Sequence, residues 1–147
     1  MTLPSLETTP IPGLVVVRLD RRDDARGFFK ENWQREKMLA IGLPDFGPVQ
    51  NNDSFNSDRG ETRGIHTEPW DKFVSLATGR IFGAWVDMRE GETFGATFTL
   101  EMDTSLAGIA VEGSRPGLFW SLSLMIASDS GIGQSIATVL SSRASAG

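Results

Sequence analysis

The sequence contains no cysteine and only one histidine in 147 residues. The missing cysteines exclude disulfides, thiolate catalysis and zinc or iron–sulfur centres with Cys ligands, and the lone histidine excludes every site that needs two or three imidazoles. Basic residues are also few: 14 Lys and Arg against 19 Asp and Glu leave a net charge of −5. This is the wrong sign for a surface that neutralises nucleic-acid phosphates. We therefore expect no nucleic-acid partner, although a local group of Arg and Lys can still bind a small anion.

Long apolar segments are missing as well. The opening segment MTLPSLETTPIPG has neither the basic nor the apolar region of a signal peptide. The most apolar stretch, residues 118–127, is rich in serine and shorter than the about 20 residues that span a bilayer. Since a chain without cysteine also suits a reducing compartment, we predict a cytoplasmic protein with no membrane partner.

The charged residues divide the chain into two parts. Residues 1–103 hold 12 basic and 17 acidic residues, whereas residues 104–147 hold two of each together with ten serines. The second segment is too short for an independent domain without disulfides or metal. We therefore predict one core, residues 1–103, and an atypical Ser-rich tail, residues 104–147, that is not a domain of its own.

Short apolar runs separated by Gly, Pro, Asn and Asp predict antiparallel β-structure in the first part. One helix is predicted at residues 34–41, where QREKMLAI supplies helix formers and Gly42 a stop signal. The pair Thr78-Gly79 predicts a tight hairpin, and the strand pattern as a whole indicates an all-β sandwich or barrel. The predicted strands are Leu14–Leu19, Gly27–Asn32, Val49–Phe55, Thr62–His66, Lys72–Ala77, Arg80–Arg89 and Ala96–Met102.

The segment GETRGIHTEPWDK, residues 60–72, has the highest density of chemically capable side chains. It contains the lone His66, with Arg63 three residues before it and Lys72 six residues after it. Histidine side chains in general titrate near neutral pH, and cations beside such a base can stabilise an oxyanion. The alternative interpretation is an exposed loop with ordinary surface charges.

Strand alternation assigns these side chains to particular faces. Lys72 falls on the face of Val74, which is expected to point inward, and a lysine there needs a partner or the mouth of a cavity. Arg63 and His66 fall on opposite faces of their strand unless a β-bulge intervenes. Gly64, which lies between them, is a suitable position for such a bulge.

Other polar groups carry alternative interpretations too. The three consecutive amides of residues 50–52 are costly to bury without partners, but Asn is also common in turns. Residues 26–31 combine an arginine able to bind an anion with two phenylalanines that equally suit the core side of an edge strand. If Asp87 points inward it needs a donor such as His66 or Arg63; otherwise it ends its strand.

A metal site is excluded by ligand number. One His and no Cys leave only carboxylates, and the sequence has no EF-hand-like pattern. It also has no GxGxxG, P-loop or GxSxG motif. We therefore expect no metal ion.

Four segments, taken in order, resemble the dTDP-4-dehydrorhamnose 3,5-epimerases. They are PGLVVVRLDRRDDARGFFKENW, FGPVQNNDSF, RGETRGIHTEPWDKF and GRIFGAWVDMREGETFGATF. The resemblance covers about residues 11–103. It implies a cupin-like jelly roll that assembles as a homodimer, with neither a metal nor an organic cofactor.

The resemblance also implies roles for individual residues. His66 matches the general base that removes the protons at C3 and C5 of the sugar, which are acidic because C4 is a ketone, so that the reaction passes through an enolate. Lys72 matches the lysine that stabilises the enolate oxygen, and Arg63 matches an arginine of the same pocket. The remaining matches are Arg26, Phe29 and Glu31, which contact the nucleotide partly across the dimer interface, and Gln50 and Asn52, which contact the diphosphate-sugar.

After residue 103 the resemblance ends. Family members carry there a catalytic tyrosine and an aspartate that orients the base, whereas this chain has no tyrosine, and Asp129, the only aspartate of its tail, lies in no matching motif. Three explanations are open: a diverged tail, a degraded relative, or a shift of reading frame near codon 104. The abrupt loss of charge and the surplus of serine favour the frame shift.

Two functions from different classes follow from these patterns. The first is an epimerase of a dTDP-linked 4-keto-6-deoxy sugar, acting at C3, C5 or both in dTDP-rhamnose-type biosynthesis, with water in place of a phenol as the proton donor. The second is a non-catalytic protein that binds a sugar nucleotide, or serves in assembly, and lacks the acid.

Overall fold

The computed structural model describes residues 2–45, 47–66, 71–104, 106–111, 121–127 and 134–141. Twelve strands and one helix lie in this part of the chain. The strands are β1 (Ser5–Thr8), β2 (Leu14–Arg18), β3 (Arg21–Asp24), β4 (Gly27–Lys30), β5 (Gln50–Asn56), β6 (Thr62–His66), β7 (Asp71–Thr78), β8 (Arg80–Asp87), β9 (Thr97–Asp103), β10 (Leu106–Val111), β11 (Ser121–Ala127) and β12 (Gln134–Ser141), and the helix is α1 (Arg35–Ala40).

Ten of the strands form two antiparallel sheets. The first sheet has the order β1-β2-β10-β7-β12-β5, and the second has the order β6-β11-β8-β9. Strands β3 and β4 pair with each other as a separate hairpin. The predicted all-β architecture with one short helix is confirmed.

The apolar core occupies both faces of the first sheet. Between the two sheets, one cluster surrounds Trp85 and Leu76, which are at most 1% exposed. On the outer face, a second cluster packs helix α1 through Met38 against Phe73, whose ring meets Trp33 edge to face at 5.1 Å between centroids. Because successive residues of β7 serve different clusters, this strand is buried on both faces. The other buried members of the first cluster are Ile11, Leu14, Val74, Ile81, Met102 and Ile136.

Helix α1 lies within the predicted segment and is one residue shorter at each end. Gln34 caps its N-terminus, where the side-chain Oε1 accepts a hydrogen bond from the Lys37 N–H at 2.6 Å. At the other end Gly42, with a φ of 92°, donates its N–H to the Leu39 carbonyl at 3.0 Å. The described part of the chain contains no helix long and apolar enough to cross a membrane.

The predicted hairpin at Thr78-Gly79 is wrong. Strand β7 lies in the first sheet and β8 in the second, so the two strands on either side of Gly79 are not paired with each other. Gly79 has a φ of 82°, which lets the chain turn sharply from one sheet into the other at a single residue. A glycine between two strand-like runs predicts a turn, but not which strands the turn joins.

Residues after 103 supply internal strands to both sheets. Strand β10 lies between β2 and β7, β12 lies between β7 and β5, and β11 lies between β6 and β8. None of these three strands was predicted, and β1 and β3 were also missed. The seven predicted strands are all observed, with bounds that agree within two residues.

Candidate functional site

A β-bulge in β6 brings Arg63 and His66 to one face of the second sheet. His66 lies opposite Ser123 of β11 and Arg63 lies opposite Met125, so three steps along β6 correspond to two along β11. Gly64 has a φ of 126°, a conformation that glycine tolerates and other residues rarely adopt. The structure therefore has a bulge at Gly64, the position that the sequence left open as suitable for one.

This face is the inner one. Ser123 pairs on its other side with Trp85, which is 1% exposed and belongs to the cluster between the sheets. Because directly opposed residues of antiparallel strands point to the same side of a sheet, His66 shares the inner face with Trp85, and the bulge brings Arg63 to it as well. Both residues are exposed, since β6 is the edge strand of its sheet. They lie at the open rim of the space between the sheets.

Lys72, Gln50 and Asn52 occupy the facing side of the first sheet. Lys72 lies opposite Leu140 of β12, and Leu140 lies opposite Gln50 of β5, which places the main chains of Lys72 and Gln50 about 10 Å apart. The Asn52 Oδ1 accepts a hydrogen bond from Gln50 Nε2 at 3.0 Å. Lys72 is half-buried and shares its face with Val74 of the inner cluster, as alternation along the strand predicts. Gln50, Asn52, Arg63, His66 and Lys72 are called the inner-face group below.

The edges of the two sheets are joined beside this group by Arg63. Its Nε donates to the Asn56 Oδ1 at 2.5 Å and its Nη2 donates to the Phe55 carbonyl at 2.6 Å. Asn56 is 1% exposed, and it was not predicted as a site residue because it stands apart in the sequence from the three consecutive amides of residues 50–52. Strand alternation could have identified it, because Asn56 lies an even number of positions from Gln50 and Asn52 along β5 and therefore on the same face.

The inner-face group contains two cationic side chains, two neutral amides and one imidazole. Arg63 and Lys72 supply two positive side chains in a chain whose net charge is −5. Among the described ranges no three His, Cys, Asp or Glu side chains lie close enough together to hold a metal ion. The arrangement suits an anionic ligand, with an imidazole available to take a proton.

Asp87 faces inward, but its donors are Arg89 and Thr93 rather than His66 or Arg63. Its Oδ1 accepts from Arg89 Nε at 2.7 Å, and its Oδ2 accepts from Thr93 Oγ1 at 2.8 Å. Burial raises the pKa of Asp87, but the hydrogen bonds from Arg89 and Thr93 together outweigh it and hold that pKa below its ordinary value. The Arg89 Nη2 also donates to the Pro12 carbonyl at 2.7 Å. Asp87 therefore ends β8 in a structural role, and its bonds to Arg89 and Thr93, with the bond from Arg89 to Pro12, are called the Asp87 latch.

The other predicted contact residues, Arg26, Phe29 and Glu31, lie on or beside the β3–β4 hairpin. Arg26 pairs with Asp24 at 2.7 Å, and its side chain is 90% exposed. Phe29 is 61% exposed, and Glu31 forms an ion pair with Lys37 of α1. The contacts described for Arg26 and Glu31 stay within the hairpin and α1, so the single chain does not join them to the inner-face group.

Two antiparallel sheets with this group at their open rim define a protein of the cupin-like jelly-roll class. The chain matches the model of the dTDP-4-dehydrorhamnose 3,5-epimerase family over residues 8–108, and it belongs to that family. A solved structure of RmlC from Streptococcus suis, in complex with dTDP-D-xylose, is similar to it with a TM-score of 0.83 and 33% sequence identity, covering 99% of this chain and 73% of that one. The predicted fold class and family are confirmed.

Two curated relatives match the first part of the chain. The protein RmlC homolog of Streptococcus pyogenes serotype M6 is 51% identical over 104 residues, which are 67% of this chain and 52% of that protein. The dTDP-4-dehydrorhamnose 3,5-epimerase of Sinorhizobium fredii is 33% identical over 101 residues, 65% of this chain and 51% of that protein. The chain thus spans about half the length of the curated relatives it matches.

Proposed function

We propose that the protein is a cytoplasmic epimerase of a dTDP-linked 4-keto-6-deoxy sugar, acting at C3, C5 or both in dTDP-rhamnose-type biosynthesis. One observation carries the proposal: the bulge in β6 sets His66 and Arg63 on the inner face of one sheet, opposite the inner face that holds Lys72. A base and two cations therefore border one open space. Family membership over residues 8–108 supplies the reaction for which such a set is suited.

In this proposal His66 is the general base. It removes the proton from C3 or C5, and the electrons of the broken C–H bond form a carbon–carbon double bond to C4, whose ketone oxygen becomes an enolate. Lys72, with Arg63, stabilises that negative oxygen. Return of a proton to the opposite side of the carbon inverts its configuration. Because the chain contains no tyrosine, water supplies this proton.

The remaining residues of the inner-face group bind the substrate. The amides of Gln50 and Asn52 hydrogen-bond the diphosphate-sugar, and Arg63 binds its negative charge. In a homodimer, Arg26, Phe29 and Glu31 contact the nucleotide part of the substrate that is bound to the second copy of the chain. Arg26 and Phe29 are exposed on their hairpin. This supports the arrangement, because their surfaces within one chain are open to contact a second copy. The similar RmlC of Streptococcus suis was solved with dTDP-D-xylose.

Proton exchange tests the proposed activity directly. The protein is incubated in D₂O with dTDP-4-keto-6-deoxyglucose while the C3 and C5 proton signals are followed by NMR. We expect loss of signal at one or both positions, and a rate that falls by about 10²-fold or more in the His66→Ala variant. Exchange that survives this substitution would remove His66 from the role of base.

The absence of tyrosine from the chain favours a second candidate, a non-catalytic protein that binds the sugar nucleotide. Calorimetric titration with dTDP separates the two functions. Binding of dTDP without exchange at C3 or C5 would establish the binding protein and refute the epimerase. Exchange confined to C3 would instead define a C3 epimerase.

A further inference from the structure

The described arginines that bond to side chains fall into two groups. Six of them form ion pairs with carboxylates. Arg63 differs, because the acceptors described for its guanidinium are an amide oxygen and a main-chain carbonyl, which are both neutral. The six ion pairs are Arg18–Glu7, Arg21–Asp23, Arg22–Asp20, Arg26–Asp24, Arg35–Asp45 and Arg89–Asp87.

The amide that holds Arg63 is itself fixed. Asn56 is 1% exposed, and its Nδ2 donates to the Glu61 carbonyl at 3.5 Å, inside the turn between β5 and β6. With the nitrogen directed at that carbonyl, the oxygen is directed at Arg63. A buried amide left without partners is costly, so the side chain has a reason to keep this orientation.

The bonds to Asn56 and Phe55 use only part of the five N–H donors of a guanidinium. Arg63 itself is exposed at the rim, so the rest of its guanidinium can meet a ligand. A carboxylate in place of the Asn56 amide would still accept from Arg63, but it would offset the positive charge and could not donate to the Glu61 carbonyl. The neutral acceptor fixes the direction of Arg63 and leaves its charge intact.

We propose that Asn56 is the positioning residue of Arg63, a neutral clamp that aims the guanidinium at the diphosphate of a bound sugar nucleotide while keeping its full charge for that anion. This inference rests on the proposed function for the identity of the anion. It assigns to Asn56 no contact with the substrate. The effect on binding passes entirely through Arg63.

The test compares two substitutions that make the same chemical change on opposite faces of β5. Asn56→Asp places a carboxylate against Arg63, whereas Asn51→Asp places one on the outer face, at an exposed position of the same strand. We expect Asn56→Asp to weaken dTDP binding, measured by calorimetry, about tenfold or more. We expect Asn51→Asp to change it about twofold or less, because solvent screens a charge on the outer face.

Stability measurements separate this electrostatic role from a merely structural one. We expect Asn56→Asp to unfold at a lower urea concentration than wild type, because its carboxylate cannot donate to the Glu61 carbonyl, but to remain folded without denaturant, so that its weaker dTDP binding is not a loss of fold. In a double-mutant cycle of Asn56→Ala and Arg63→Ala, the second substitution is expected to cost much less stability once the first is present.

The outcomes distinguish failure of the clamp from failure of the proposed function. Equal dTDP affinity for Asn56→Asp and wild type would overturn the clamp, as would purely additive costs in the double-mutant cycle. A wild-type protein that binds no dTDP would overturn the proposed function, and the double-mutant cycle would still decide whether Asn56 positions Arg63.

Discussion

The first 103 residues and the tail contribute different things to the same two sheets. All five residues of the inner-face group belong to the first part, whereas the tail contributes β10, β11 and β12, each with a neighbour on both sides. Strand β6, which carries His66, pairs with β11, and β5, which carries Gln50 and Asn52, pairs with β12. In the described residues, the strands that carry the site are held in place by strands that carry none of it.

This difference gives the change in composition a physical meaning. Strands β10, β11 and β12 contain no charged residue, and each has a neighbouring strand on both sides. A charge-poor segment suits such positions, because charged side chains are rare where water does not reach them. The frame-shift hypothesis stays a prediction, and sequencing the coding DNA tests it. It fails if no other frame after Asp103 encodes a family-like tail with a tyrosine.

The largest loss of stability is expected when β11 is interrupted. Proline at position 123 removes a main-chain N–H from the strand that joins His66 of β6 to Trp85 of β8. We expect Ser123→Pro to lower the free energy of unfolding by at least about 2 kcal/mol. Urea unfolding followed by tryptophan fluorescence measures this loss.

Ser123→Ala is the matched control for that substitution, because it keeps the N–H and removes only the hydroxyl. We expect it to unfold close to wild type. If the proline and alanine variants unfold at the same urea concentration, β11 is not the internal strand that holds β6.

A smaller effect is expected within the first part, at the Asp87 latch. Replacing Asp87 by Asn puts an amide N–H₂ against the Arg89 guanidinium, and we expect a loss of about 1–3 kcal/mol at pH 7. Because the pKa of Asp87 is lowered in the folded protein, its stabilisation is present above about pH 5 and is lost as the pH falls through the folded-state pKa. The difference between wild type and variant, measured by urea unfolding, should therefore shrink below about pH 4.

Asp24→Asn provides the control for the latch, because Asp24 forms an ion pair with Arg26 that is exposed on both sides. Screening by solvent makes such a pair weak, so we expect no measurable change in unfolding. A cost at Asp87 no greater than at Asp24 would show that the latch contributes nothing beyond a surface pair.

The smallest effect on stability is expected at the β3–β4 hairpin. Phe29 is 61% exposed, so Phe29→Ser should change the free energy of unfolding by less than about 0.5 kcal/mol. If the hairpin serves a second copy as proposed, the same substitution lowers the dimer fraction in sedimentation velocity and weakens dTDP binding. Phe94, which is 60% exposed, offers the same substitution outside the hairpin, and Phe94→Ser should leave both unchanged. Equal behaviour of the two variants would contradict the proposed role of the hairpin.

How much of the fold the sequence predicts depends on where each strand lies. Thr62–His66 is observed with its predicted bounds, because Gly60 precedes the strand and Pro69 follows it in the sequence. Strands β10, β11 and β12 were missed because the Ser-rich, charge-poor composition after residue 103 indicated an atypical tail, although SLSL in β11 alternates polar and apolar residues. Strand β3, which is RRDD, has no apolar residue at all, and its pairing with β4 was visible only in the structure.

The residues of the candidate site could be predicted from the sequence, but their arrangement across the two sheets could not. Residue chemistry and the family resemblance named the inner-face group, and Gly64 indicated where a bulge would unite Arg63 and His66. Register across two sheets lies beyond local patterns, because it depends on strands far apart in the chain. The same limit hid Asn56, whose importance comes from a contact between the edges of two sheets.

The bulge at Gly64 makes the identity of the inner-face residues a matter of counting. Arg63 and His66 are three residues apart, an odd spacing that alternation would place on opposite faces, and the bulge absorbs the extra residue. Deleting Gly64 would reduce the spacing to two, which a regular strand presents on one face without a bulge. A β-branched residue at position 64 would instead oppose the φ of 126°, and loss of the bulge at the present spacing would send one of the two side chains to the outer surface. We therefore expect this strand to tolerate the loss of its bulge residue better than the replacement of that residue.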